Sequence, residues 1–278
     1  MLYSKPIRCR ITRQKGHEIT AELMLNGDPV TVDGATLSIS EESSGNSRMG
    51  RFALTLEHHE LEECNDLDAM EPIRLFIPMD ELPQSITALY MFSPWWTRQA
   101  FVDSLKDIPD KTQAALFKFK DRFGCFMPMV GEVFKAYLTG GTETELQLVV
   151  SALYGGIREV HEPLYLYAEA PTIDEAISPV FHKAARIKNI RLREDRRIPE
   201  MFRYLGWCSW NAFYTDVNEE GIRQKAAEFS EKQVPVKWMI IDDGWLTLKD
   251  RLLYDYRPDP EKFPEGFGKL TEDINGLS

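Results

Sequence analysis

Residues 236–241, VKWMII, form an apolar run that stops abruptly at Asp242-Asp243-Gly244-Trp245. Such a run is the mark of a parallel strand covered on both sides, so the chain is expected to contain an α/β region. The residues before it fit that expectation. FRYLGWCSW, residues 202–210, reads as a short strand entering a loop. Asn218 can cap the helix EEGIRQKAAEFSEKQ, whose Glu219 and Glu220 suit the positive end of the helix dipole. Ile222, Ala226 and Phe229 then fall on one face at helical spacing. Strand, helix and strand make one βαβ unit.

Two adjacent acids after a buried strand cannot both point into a core, because unpaired buried carboxylates are costly. In a parallel α/β barrel the functional groups gather at the carboxyl ends of the strands, where the βα loops converge. An ionised carboxylate only accepts hydrogen bonds, so Asp242 and Asp243 suit donors such as sugar hydroxyls. Trp207, Trp210 and Trp245 come from the same end of the same unit, and an aromatic face offers apolar area for the C–H side of a sugar ring. Acids plus tryptophans point to a carbohydrate pocket. Plainer readings stand beside this one. Asp-Gly is a common turn pair, Trp207 can be core, and Trp238, inside the apolar run, is read as core.

The first half is written differently. EITAELML places Ile19, Ala21, Leu23 and Leu25 on one face, and Asn26-Gly27 follows as a hairpin signal. ATLSIS, RFALTLEHHE, PIRLFIP and ITALYMFS are further short strand-like runs. Phe117 and Phe119 alternate with Lys118 and Lys120, and a hairpin is expected about Gly140-Gly141. Many short strands at close spacing argue for an antiparallel sandwich. Near Pro171 the pattern changes: Thr172-x-x-Glu175 is a capping box opening a helix that Pro179 should limit or kink. The charged stretch RLREDRRIPE is the best boundary in the chain and reads as a solvated linker.

A net charge of −11, with no Lys/Arg run to offset it, repels a phosphate backbone and argues against nucleic acid as a partner. No apolar stretch approaches the roughly 20 residues of a membrane helix, and no secretory signal is visible. Cys9, Cys64, Cys125 and Cys208 are isolated, and His58-His59 lacks matching ligands, so neither a metal site nor an organic cofactor is expected. Reduced thiols fit a cytoplasmic location.

GWCSWNAFYTDVNEEGI, VKWMIIDDGW and RPDPEKFPEGFGKL occur in the order and spacing that resemble the raffinose synthase and alkaline α-galactosidase family, with seed-imbibition-type and bacterial members the nearest in appearance. SPWWTRQAF and FGCFMPMVGEVFKAYLTGG are similar to its amino-terminal β-sandwich. The resemblance implies residues 1–185 as that sandwich, 186–200 as a charged linker, and 201–278 as the first βα units of an incomplete (β/α)8 TIM barrel. It implies an α-galactosidase-type retaining glycoside hydrolase or transglycosidase acting on α-galactosides. Asp242 and Asp243 match the acids that hold galactose hydroxyls, and Trp210 matches a pocket-lining tryptophan; Trp245 and Trp207 belong to the same motifs. Asn211 stands where plant raffinose synthases usually have aspartate and lysosomal-type α-galactosidases have asparagine, which leaves transferase and hydrolase both open. The family's nucleophile and acid/base are aspartates on later strands, so this chain is expected to be an amino-terminal fragment lacking them. The alternative is a non-catalytic carbohydrate-binding sandwich using Trp95 and Trp96, a pair read more readily as buried at a domain interface. Neither oligomeric state nor linkage preference is legible.

Overall fold

A computed structural model describes residues 4–12, 17–57, 73–154 and 158–276. His58, His59 and Cys64 lie outside them. The chain divides into two compact units, Met1–Leu192 and Arg193–Ser278.

The first unit is built on antiparallel strands. Their ranges are β1 (Ile7–Thr12), β2 (Glu18–Leu23), β3 (Val30–Val32), β4 (Ala35–Ser44), β5 (Ser47–Leu56) and β6 (Ile73–Pro78). There follow β7 (Ser85–Ser93), β8 (Trp96–Val102), β9 (Thr112–Lys118), β10 (Phe123–Pro128), β11 (Phe134–Thr139), β12 (Glu145–Ala152) and β13 (Glu159–Ala170). The order across the sheet is β2-β1-β6-β12-β11-β9-β10-β13-β5-β4-β3, with β7 on β9 and β8 on β7 as a side branch. The sheet is continuous and curls until its ends meet, where Leu25 bridges Ile39 and the Asn26 N–H donates to the Ile39 carbonyl at 3.0 Å. The result is sandwich-like and nearly closed.

Alternation explains the core. Ile19, Ala21 and Leu23 of β2 and Phe117 and Phe119 at β9 are buried, while Lys118 and Lys120 face solvent. Gly140-Gly141 lies between the paired strands β11 and β12, as the glycine pair predicts. The Asn26-Gly27 prediction fails. Asn26 turns the chain at φ 56°, but β2 pairs with β1, not β3. The Asn26 amide is instead used by the backbone of Glu41, a non-local demand that no dipeptide rule contains.

Helix α1 (Ile173–Lys188) covers the outer face of β10 and β13 through Ala176 and Val180, against Cys125, Leu166 and Ala168. Burial pushes the Cys125 thiol up to about 12, so it is an inert apolar group. With both faces covered, β13 is buried without a break from Leu164 to Ala168. Thr172 Oγ1 caps the helix by accepting from the Glu175 N–H at 3.4 Å, but the return arm differs from a capping box: the hydroxyl donates to the Glu175 carboxylate. Pro179 does not stop the helix. Proline cannot donate to the carbonyl four residues earlier, and the Asn46 side-chain amide takes that place at Glu175 O, at 3.4 Å. The helix therefore runs on past Pro179 to Lys188 and is closed by Asn189 in the left-handed conformation.

Beside α1, Arg122 Nε and the Tyr167 hydroxyl both donate to Glu169, at 2.7 Å each. Burial pushes the Glu169 carboxyl up, but these two donors outweigh it and hold it below its ordinary value. A carboxylate depressed by folding adds stability above its unfolded pKa, about 4.3, which is lost as pH falls through the folded value. Glu169→Gln is expected to lower the urea midpoint at pH 7 and to flatten its decline below about pH 4. An unchanged acid limb would remove Glu169 from that account.

The second unit holds a parallel pair. β14 (Leu205–Cys208) lies beside β15 (Val236–Ile240), joined through α2 (Trp210–Phe213) and α3 (Glu219–Glu231). A hairpin of β16 (Leu246–Lys249) and β17 (Leu252–Pro258) follows, then α4 (Gly266–Asn275). Asn218 caps α3 by accepting from the Gly221 N–H at 2.9 Å. Val217, Ile222, Phe263 and Leu270 form the small core.

The expectation that β15 is covered on both sides is corrected. Among the described residues its only strand neighbour is β14, Ile240 is 44% exposed, and a groove of about 690 Å³ beside α3 and α4 is lined by Val236, Trp238 and Met239, which are only half-buried. No helix among the described residues is long and apolar enough to cross a membrane.

Candidate functional site at the strand ends

β14 and β15 end side by side, in the register Cys208 opposite Ile240. Ser209 continues the pairing for one more step. Its N–H donates to the Ile240 carbonyl at 3.0 Å, and its buried Oγ accepts from the Asp242 N–H at 2.8 Å. Asp242 and Asp243 are thereby turned out of the strand. Asp242 Oδ1 accepts from the Asp243 N–H at 2.7 Å, and Oδ2 receives the Cys208 thiol at 3.0 Å. The thiol and the Asp243 N–H together hold the Asp242 carboxyl below its ordinary value.

Asp243 is exposed. Its Oδ1 accepts from the Gly244 N–H at 2.8 Å, which is the turn role the Asp-Gly pair suggests, while Oδ2 has no hydrogen-bond partner among the described residues. Both readings of this residue therefore coexist: one oxygen shapes the turn and the other is open to a donor.

Two glycines make the arrangement possible. Gly206 faces Trp238 across the strand pair, and an added Cβ would lie 2.1 Å from the indole. Gly244 has φ +107°, and its Cβ would lie 2.5 Å from the Thr215 backbone. The same approach is tied from outside by Lys262, whose Nζ donates to the carbonyls of both Thr215 and Gly244 at 2.7 Å. Lys262→Met keeps the stem and removes the donor. It is expected to cost about 1.5–3 kcal/mol, the range for hydrogen bonds to charged groups, measured as a fall in the unfolding free energy. A loss under about 0.5 kcal/mol would show that the turn holds without it.

The five residues expected at the site fall into two groups. Asp242, Asp243 and Trp210 lie at the strand ends, with Trp210 38% exposed and edge-on to Tyr214 at 5.3 Å. Trp207 and Trp245 are partly buried members of the small core. Trp207 meets Phe213 at 6.2 Å and Phe229 at 5.8 Å, and Trp245 meets Phe267 at 5.2 Å and Tyr256 at 5.7 Å. Strand alternation explains Trp207: it takes the helix side of β14, so its neighbour Cys208 takes the other. Sequence reasoning missed Cys208, Ser209 and Lys262. Cysteine spacing is uninformative for a thiol whose partner lies 34 residues away, and Ser209, though directly before a helix, makes no cap bond, because its hydroxyl serves the Asp242 N–H.

In the first unit, Trp95 and Trp96 sit at the turn of the β7–β8 hairpin. Trp95 is 85% exposed, which departs from the buried pair expected from sequence. Arg98 explains part of this. Its guanidinium lies 4.0 Å from the Trp96 ring centroid and 3.8 Å from that of Phe92, a cation–π stack that stabilises half-exposed rings. No group of three or more His, Cys, Asp or Glu able to hold a metal occurs among the described residues.

Comparison with solved structures gives the fold. The GH36 α-galactosidase AgaA from Geobacillus stearothermophilus superposes with a TM-score of 0.53 at 14% identity, covering 97% of this chain and 44% of that one. A variant of the same enzyme in complex with raffinose gives 0.51, also at 14% identity and with the same coverage. The family follows from sequence: the model for "Raffinose synthase or seed imbibition protein Sip1" matches residues 72–256, about two thirds of the chain. The chain belongs to that family. Among its relatives, the Arabidopsis thaliana protein named "Probable galactinol--sucrose galactosyltransferase 6" is 26% identical over 204 residues, covering 64% of this chain and 27% of its own length. Stachyose synthase from Pisum sativum is 27% identical over 191 residues, covering 62% and 22%. The chain thus spans about a quarter of the length of the curated relatives it matches.

Proposed function

We propose that this chain carries the galactose-holding wall of an α-galactoside-acting retaining glycoside hydrolase or transglycosidase, and that its parallel pair is the start of a (β/α)8 barrel. The observation that carries the reading is Asp243: an exposed carboxylate at the end of a parallel strand, with one oxygen spent on its own turn and the other open. A fixed anionic acceptor of this kind suits a sugar hydroxyl, and Trp210 at the same strand ends supplies an apolar surface for the ring. The names of the relatives, galactosyltransferase and stachyose synthase, support galactosides over other sugars.

Chemistry needs more than this wall. Retaining hydrolysis uses two carboxylates about 5–5.5 Å apart on either side of the scissile bond. Asp242 and Asp243 are consecutive on one strand end, and each carries backbone or thiol contacts that fix it as an acceptor. They are assigned to binding, and the nucleophile and acid/base to residues other than these. Calorimetric titration of the 278-residue chain with galactose and with glucose tests the reading. Binding of galactose in preference to its epimer, with no turnover of raffinose, is the expected result. Equal affinity for both sugars, or none for either, would contradict it.

A second reading, a carbohydrate-binding sandwich, is favoured by the exposure of Trp95. It requires that Trp95→Ala abolish binding and that changes at Asp243 leave it intact.

A further inference from the structure

We propose that Cys208 is a positioning residue for sugar binding, aiming the Asp242 carboxylate through its thiol. The inference rests on the reading of Asp242 as an acceptor of galactose hydroxyls. Three contacts lock this aspartate in place: its own N–H on Ser209 Oγ at 2.8 Å, the Asp243 N–H on Oδ1 at 2.7 Å, and the Cys208 thiol on Oδ2 at 3.0 Å. The first two fix the backbone and one oxygen. Among the described residues only the thiol holds the second oxygen, so without it the carboxylate is held at Oδ1 alone and its plane has more freedom about its terminal torsion, which is broad for aspartate.

The stoichiometry matters as much as the direction. A carboxylate has about four acceptor sites. One site on each oxygen is filled by an internal donor, so each oxygen retains capacity. Two acceptors side by side on a fixed plane suit two adjacent hydroxyls of one ring, and do so better than a carboxylate that must first be ordered.

The protonation state fits. The Trp210 N–H pulls the Cys208 thiol down, but the Asp242 carboxylate, helped by a slight loss of hydration, outweighs it, and the thiol is raised above its ordinary value. It therefore stays S–H at neutral pH and donates. Cys9 and Cys125 are buried in the other unit, whereas Cys208 is exposed and open to reagents.

Two experiments on the 278-residue chain test this. In calorimetry with galactose, Cys208→Ala is expected to weaken binding about tenfold, the low end for losing a hydrogen bond to a charged group. Cys208→Ser, which restores a donor, should stay within about threefold of the unchanged chain, and a thermal melt confirms that both variants are folded at the temperature of the titration. Unaltered affinity in Cys208→Ala, or an equal loss in both variants, would overturn the proposal. The second experiment needs no sugar. Asp242→Asn removes the anion that raises the thiol, so iodoacetamide should alkylate Cys208 about threefold faster at pH 8, read by mass spectrometry of the Cys208 peptide. An unchanged or slower rate would show that the thiol does not donate to Asp242. If the unchanged chain fails to bind galactose, the galactoside reading falls, and the alkylation rate still decides whether the contact exists.

Discussion

Replacing Asp243 by asparagine is expected to weaken galactose binding by about 10- to 100-fold while leaving the melting midpoint unchanged. The size follows from the roughly 1.5–3 kcal/mol carried by a hydrogen bond to a charged group. The selectivity follows from the geometry. Asparagine keeps a carbonyl oxygen for the Gly244 N–H, so the turn survives. The amide nitrogen then takes the place of the open Oδ2 and offers a donor where the sugar hydroxyl also donates. Isothermal calorimetry with galactose measures the loss, and a thermal melt of the same sample controls for folding. A variant that binds as tightly as the unchanged chain would reduce Asp243 to its turn role.

The second large effect belongs to the sheet. Phe126→Ala is expected to cost about 3–5 kcal/mol, the range for emptying a buried aromatic site. Phe126 is fully buried, stacked on Tyr165 at 4.9 Å and 21° and tilted against Tyr167 at 6.1 Å. Neither tyrosine can collapse into the gap. Their hydroxyls are anchored at Glu41 and Glu169, at 3.0 and 2.7 Å, so following the cavity would break those bonds. A domain is stable by only about 5–15 kcal/mol, so this change brings the unit close to unfolding at ordinary temperature. Denaturant titration followed by tyrosine fluorescence gives the value. A loss under about 1 kcal/mol would mean that the stack repacks.

Much of this molecule was legible in its sequence, for reasons that differ by element. The alternation at Phe117, Lys118, Phe119 and Lys120 marks a half-buried strand because sheet side chains alternate, and that rule is local. The cap at Asn218 was legible on the same grounds, whereas the parallel partnership of β14 and β15 was read from the order strand, helix, strand. What failed depended on partners far along the chain. Asn26-Gly27 has hairpin chemistry, yet its amide serves Glu41 and its strands pair elsewhere. Pro179 has breaker chemistry, yet Asn46 satisfies the carbonyl it orphans. At the strand ends, Asp242 and Asp243 were marked by their abrupt place after an apolar run. The thiol that orients one of them was hidden, because only the parallel register brings Cys208 beside Asp242. Trp207 shows the converse: a motif residue that alternation turns toward Phe229, away from Cys208.

Where a galactoside meets the chain is reported directly by the six tryptophans. Their indole N–H resonances, assigned by single substitutions, can be followed in a two-dimensional NMR titration with methyl α-galactoside. Trp210 is expected to shift most, with a smaller change at Trp245 through the turn that Asp243 shares with it, while Trp95 and Trp96 stay still. Shifts confined to Trp95 and Trp96, or none at Trp210 at saturating sugar, would contradict the galactoside reading.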